Sequence, residues 1–153
     1  KREYPLLVRL ATALTGRREV AEEIVQDSMV AVLARWKRIC RYDKPGAYAR
    51  RVVLNAATSY QRRRRAERRA LERHGAIAAT GVLSQDTTDF WRAVRRLPER
   101  QAHAITLYYV EDLSTARIAT LLGIAEGTVR ASLHTARASL ARTFAIADEE
   151  LTP

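Results

Sequence analysis

The sequence predicts an all-α protein of two small helical domains joined by a flexible linker, and three observations carry that prediction. Apolar residues recur at three- and four-residue intervals through most of the 153 residues, and no stretch alternates with period two for long. The periodicity lapses from Arg73 to Thr88, where Gly, Ala, Ser, Thr and Asp dominate, a composition suited to a linker. Past it, Gly123 separates two apolar-faced segments, as when two helices meet across a sharp turn.

The elements follow in order. A first helix is expected over about 3–15, with Leu6, Leu7, Leu10, Ala13 and Leu14 on one face and Thr15-Gly16 ending it. A second runs from about Glu19 to Trp36, its apolar stripe being Val20, Ile24, Val25, Val32, Leu33 and Trp36. Residues 37–46 break the pattern and read as a loop. Pro45, well tolerated in a first helical turn, opens a third helix that carries Tyr48, Val52, Val53, Ala56 and Tyr60 into Arg62–Arg65. These make a first domain over 1–70, followed by a linker over 71–88.

The second domain, 89–145, begins with a short helix carrying Phe90, Trp91, Val94 and Leu97, stopped by Pro98. The next helix points Ala102, Ile105, Tyr108 and Tyr109 toward a core. Ser114 is placed to cap the helix bearing Ile118, Leu121 and Leu122. The last helix shows Val129, Leu133, Ala136, Leu140 and Phe144 on one clean face. Residues 146–153 form an acidic, frayed tail.

Charge is the first functional clue. Of the net charge of +10, residues 35–73 supply +11, from 14 Lys or Arg against 3 acids, and the rest of the chain nets −1. Such a focused excess is the electrostatic footprint of a nucleic-acid partner. Of the 27 basic residues 24 are arginine, whose donor fork suits phosphate oxygens and stacks on bases. Cys40 is the single cysteine, so no intrachain disulfide forms and a reducing cytosol is the expected setting. His74, His103 and His134 share no ligand spacing with it, so no metal or other cofactor is expected. No apolar run approaches a membrane span, so no membrane insertion is expected either.

Three local patterns carry chemistry. Leu113 through Arg142 has helix-turn-helix grammar: Gly127-Thr128-Val129-Arg130 opens an amphipathic helix whose outward face would hold Thr128, Arg130, Ala131, His134, Arg137 and Glu126. A plain two-helix hairpin with a solvated basic face is the bland alternative. Over 37–69, bases interleave with Tyr42, Tyr48 and Tyr60, pairing phosphate attraction with stacking platforms for unpaired bases. Helical spacing spreads Arg50, Arg51, Asn55, Arg62 and Arg65 over more than one side, and Tyr48 serves equally well as core. Finally, Glu23 and Asp27 stand one turn apart and repel mildly, which a cationic partner would relieve. By itself that face reads as solvated.

Together these residues resemble the extracytoplasmic-function sigma factors, promoter-recognition subunits of bacterial RNA polymerase, most closely the Arg-rich actinobacterial members. Ala21–Asp27 with Trp36 resembles their polymerase-binding helix, and Ala47-Tyr48 through Asn55 and Arg62–Arg65 their minus-ten segment. Leu97-Pro98-Glu99-Arg100-Gln101, Tyr109, Asp112-Leu113-Ser114, Ile118-Ala119, Leu122-Gly123 and Gly127–Arg130 resemble their minus-thirty-five domain. The resemblance implies that Glu23, Gln26 and Asp27 bind core RNA polymerase. It implies that a loop with Arg41, Tyr42 and Lys44 captures a flipped base, and that Arg50, Arg51, Asn55 and Arg62 hold the minus-ten region. Arg117, Glu126, Thr128, Arg130, His134 and Arg137 would read the minus-thirty-five groove. Core RNA polymerase, promoter DNA and an anti-sigma factor are the implied partners, in the cytoplasm at the nucleoid, with no small-molecule substrate.

The chain departs from the family pattern at Ser59, Ala102, Tyr108 and Arg117. At 117 a usual glutamate is lost, and with it half of a capping box with Ser114. The rival reading is a stand-alone helix-turn-helix regulator, which would not need +11 outside its recognition motif. An enzyme would need convergent acids, a metal cluster or a nucleophile with its base, and the sequence offers none.

Overall fold

The computed structural model describes residues 3–75 and 89–150, with side chains to 145. Most of the expected linker, from residue 76 onward, and the end of the acidic tail lie outside the described residues. The chain divides into two compact units, Lys1–Thr87 and Thr88–Pro153, each taken here by itself. Every regular element among the described residues is a helix.

The first unit holds α1 (Glu3–Thr15), α2 (Arg18–Ala34), α3 (Trp36–Ile39) and α4 (Pro45–Arg73). Helices α1, α2 and α4 pack pairwise around Leu7, Val8, Ala11, Ala21, Val25, Val32, Ile39, Ala49 and Val53. Each fully buried Leu, Ile or Val there contributes about 1.5–3 kcal/mol. Gly16, at φ 76°, turns the chain out of α1, and its N–H donates to the Thr12 carbonyl at 2.8 Å. The C-terminal carbonyls of α1 are also covered from α4: Gln61 Nε2 donates to Leu14 O at 2.8 Å and Thr15 O at 3.2 Å.

Three expectations change here. The loop expected over 37–46 contains the one-turn helix α3, because Ile39 is wholly buried and drags the start of the segment onto the core. Leu33 and Trp36, expected in the apolar stripe of the second helix, face solvent, while Ala21, Val25, Ser28 and Val32 are its buried positions. Helix α4 also runs past 70, through Arg73, and at 29 residues is about 43 Å long. Its buried residues, Ala49, Val53, Leu54 and Ala57, all lie in the first half.

The second unit holds α5 (Asp89–Val94), α6 (Glu99–Val110), α7 (Thr115–Leu122) and α8 (Glu126–Glu150). The last helix packs on all three others through Val129, Leu133, Ala136 and Leu140, against Val94, Ile105, Leu107 and Ile118. Ser114 caps α7 by accepting from the Arg117 N–H at 3.3 Å, and Gly123, at φ 67°, makes the turn into α8. The backbone of α8 stays helical through Glu150, because no Pro or Gly interrupts it between Gly127 in its first turn and Pro153, so the expected frayed tail is in large part helix. Phe144, expected on the core face, is exposed, since α8 outruns the helices it packs against. Thr106 is fully buried and its Oγ1 has no hydrogen-bond partner.

Candidate functional site

Three surfaces gather the residues that the sequence singles out. The first is on α2. Glu23, Gln26 and Asp27 are all exposed, and the same helical face, an arc of about 120°, continues through Val30, Leu33 and Ala34. Val30 is 66% exposed, Leu33 62% and Trp36, at the start of α3, 47%. An acidic half followed by an apolar half is a poor solvent face and a good interface, because large apolar groups left in water gain most from being covered. Leu33 and Trp36 thus move from expected core to this surface. Their periodicity was visible in the sequence, but periodicity cannot say which neighbour buries a stripe.

The second surface runs along α4. Arg51, Asn55, Thr58 and Arg62 succeed one another at steps of four, three and four, so they share one side of the helix, and Arg51, Asn55 and Arg62 are exposed. Arg50 lies about 100° away. Its side chain is only 14% exposed, its Nη1 pairs with Glu3 Oε2 at 2.6 Å and donates to Gly46 O at 3.2 Å. Arg50 therefore ties α1 to the start of α4, and the structure does not bring it to the face that Arg51 and Asn55 share. Just before α4, Arg41 and Lys44 are exposed, and Tyr42 meets Tyr48 edge to face at 5.9 Å. Tyr48 also packs against the core, so it serves both roles the sequence left open: it is core, and it props the exposed Tyr42.

The third surface is the helix-turn-helix of α7 and α8. Thr115 Oγ1 donates to Glu126 Oε1 at 2.7 Å, and Arg130 Nη2 meets the same oxygen at 2.8 Å. The hydrogen bond from Thr115, then that from Arg130, holds the Glu126 carboxyl below its ordinary pKa. Glu126 is therefore a clip that fastens the start of α8 to α7 and orients Arg130; it is not a free outward group. Thr128, Arg130 and His134 are exposed on α8, and Arg117 is exposed on α7. Arg137 is also exposed, about 20° around α8 from Arg130, but its guanidinium is engaged. It lies only about 40° around α8 from Leu133. Its guanidinium carbon sits 4.9 Å from the Tyr108 ring centroid and 5.9 Å from that of Tyr109, and its Nε donates to the Tyr109 hydroxyl at 3.3 Å. That hydrogen bond, first among the causes, raises its pKa. Tyr109, expected in the core, is half exposed and meets Phe90 edge to face at 6.0 Å.

Among the described residues no cluster of three or more His, Cys, Asp or Glu could hold a metal ion, and no helix is long and apolar enough to cross a membrane. Cys40 is exposed, its thiol directed to Lys37 O at 3.6 Å.

Comparison with known proteins places these surfaces in a family. Residues 1–67 match the model of sigma-70 region 2, and residues 87–140 that of sigma-70 region 4. The chain is 33% identical over 144 residues to the ECF RNA polymerase sigma factor SigM of Mycobacterium tuberculosis, covering 93% of this chain and 73% of SigM. It is 29% identical over 136 residues to the RNA polymerase sigma-E factor of Streptomyces avermitilis, covering 88% and 76%. Among solved structures, the sigma factor RpoE crystallised with the anti-sigma factor NepR from Bartonella quintana matches with a TM-score of 0.67 at 24% identity, over 95% of this chain and 93% of that one. The chain belongs to the ECF family of RNA polymerase sigma factors. Its function is thus to direct transcription initiation, and the stand-alone regulator is set aside.

Proposed function

We propose that the three surfaces divide the work of a non-catalytic initiation subunit. The acidic and apolar face of α2, with Glu23, Gln26, Asp27, Val30 and Leu33, docks on core RNA polymerase together with the exposed Trp36 of α3. The acids steer toward arginines and the apolar half is covered on binding. Tyr42 stacks on a base extruded from the non-template strand, with Arg41 and Lys44 on neighbouring phosphates. Arg51, Asn55 and Arg62 hold the minus-ten region. Extruding a base costs a few kcal/mol, which a stacking surface worth about 1–3 kcal/mol per base and dense positive charge offset. In the second unit Arg117, Thr128, Arg130 and His134 approach the minus-thirty-five groove, Glu126 aims Arg130, and Arg137 follows only on leaving its tyrosines. An anti-sigma factor that covers one of these faces would silence the protein, which acts in the cytoplasm at the nucleoid.

The observation that carries this reading is the exposure of Val30 and Leu33 on the α2 face that carries Glu23 and Asp27, with Trp36 exposed just beyond the helix. The test is association of the purified chain with core RNA polymerase. Leu33→Ser and Trp36→Ser, neither of which removes core packing, should weaken it at least tenfold while the helical circular dichroism stays unchanged. Undiminished association would remove this face from the interface.

A further inference from the structure

The second half of α4 adds nothing to the buried core of its own unit. From Arg62 to Arg73 the helix carries seven arginines against two glutamates and contributes no buried residue. Its arginines repel one another at Arg64/Arg68, Arg65/Arg69 and Arg69/Arg73, all four residues apart, and each such pair costs about 0.2–0.5 kcal/mol. Arg64–Glu67 at 3.7 Å offsets part of this. A segment that buries no residue and holds seven arginines against two glutamates gains from a polyanion that neutralises it.

Its geometry says more. The stripe of Arg51, Asn55, Thr58 and Arg62 continues without a break as Arg65, Arg69 and Arg73, at steps of three, four and four, within an arc of about 80°. Arg63, Arg64 and Arg68 lie off that arc. The same straight helix that presents Arg51 and Asn55 therefore carries a cationic edge about 16 Å further from Arg62 to Arg73, against a strand with one phosphate per 3.4 Å of duplex axis. The occupant follows from what the segment lacks. Residues 62–73 contain no Tyr, Trp or Phe, so they offer no aromatic platform for unpaired bases, whereas the aromatic pair Tyr42–Tyr48 stands at the opposite end of α4.

Resting on the sigma-factor reading, we infer that Arg65, Arg69 and Arg73 form a phosphate-tracking arm that lies on intact duplex between the two promoter elements. In chain order the arm stands between the strand-holding segment and the groove-reading unit, as the spacer stands between the elements they meet. Residues 68–73 fall outside the segment matched to sigma-70 region 2. The contact is to backbone only, so it adds affinity and salt dependence without sequence preference.

The experiment compares two triple variants of equal charge in the full chain, bound to core RNA polymerase from a mycobacterium. One is Arg65→Gln/Arg69→Gln/Arg73→Gln on the stripe, the other Arg63→Gln/Arg64→Gln/Arg68→Gln off it. Gln keeps helix propensity close to that of Arg, and circular dichroism checks that α4 persists. Promoter affinity is titrated against salt. With a slope of about 0.9 per phosphate contact, the stripe triple should lose about 40-fold less affinity than wild type between 50 and 200 mM salt; the off-stripe triple should stay within about fourfold of it. Neutralising the spacer phosphates as methylphosphonates should abolish the difference between the stripe triple and wild type. Equal behaviour of the two triples, or a difference that survives the neutral spacer, overturns the arm. A wild-type chain that never joins core polymerase overturns the sigma reading and the arm together. Holoenzyme that forms and initiates normally with either triple, with unchanged salt slopes, overturns the arm alone.

Discussion

The two units handle cationic charge in opposite ways. In the first, Arg51, Arg62, Arg65, Arg69 and Arg73 of α4 stand along an exposed stripe, and the one drawn inward, Arg50, is paired with Glu3 and serves the bundle. In the second, both recognition-helix arginines with described partners are held: Arg130 by Glu126, Arg137 over Tyr108 and Tyr109. An open stripe suits a flexible or variable backbone, where charge counts more than exact placement. A clipped side chain suits a groove, where a base edge is read only at a defined position and orientation. On the proposed reading, the difference separates holding DNA from reading it.

The largest expected effect strikes the frame on which the clipped groups stand. Leu133→Ala removes a side chain packed in the centre of the second unit and should cost about 2–5 kcal/mol. Urea titration with amide signals from α6 to α8 would measure it, and α1 signals should keep their midpoint. Next, Asp27→Ala should weaken core-polymerase association about tenfold with no change in thermal stability, since Asp27 is exposed; calorimetry on wild type and variant checks this.

Arg130→Ala should lower initiation about tenfold at promoters dependent on the minus-thirty-five element, and Arg137→Ala by less, because Arg137 must first leave its tyrosines. Equal losses would erase the distinction drawn between them. Glu126→Gln keeps the shape of the clip and removes its charge. A carboxyl with a lowered folded-state pKa stabilises above the ordinary glutamate pKa, and that contribution is lost as pH falls through the lowered value. The wild-type second unit should therefore lose thermal stability in that acidic window, while Glu126→Gln starts lower and shows a flatter pH profile. Smallest of all, Thr106→Val should raise stability by up to about 1 kcal/mol by removing a buried hydroxyl that has no partner.

Much of the fold was legible because local signals agreed. Leu7, Leu10 and Leu14 before Gly16 marked α1, Pro45 opened α4, and Ser114 and Gly123 bounded α7. What escaped was the identity of the partner for each stripe. Leu33 and Trp36 kept helical spacing with the core residues yet face outward, because the periodicity of α2 serves two faces. Arg50 and Arg51 are neighbours in sequence, but the 100° between them puts one against Glu3 and the other in solvent. Arg137 is exposed on α8, but nothing local announces that Tyr108 and Tyr109, on another helix, engage its guanidinium. The Thr115–Glu126 clip joins residues eleven apart, beyond any capping pattern, and only the turn at Gly123 brings them together.

The most direct measurement of the central claim is run-off transcription with purified core polymerase and this chain, comparing wild type with Arg51→Ala/Asn55→Ala. The variant should join core polymerase normally and lose at least tenfold of initiation from duplex promoters, with most activity restored on templates already opened across the minus-ten region. Equal activity of variant and wild type on closed duplex would contradict the role given to the stripe on α4.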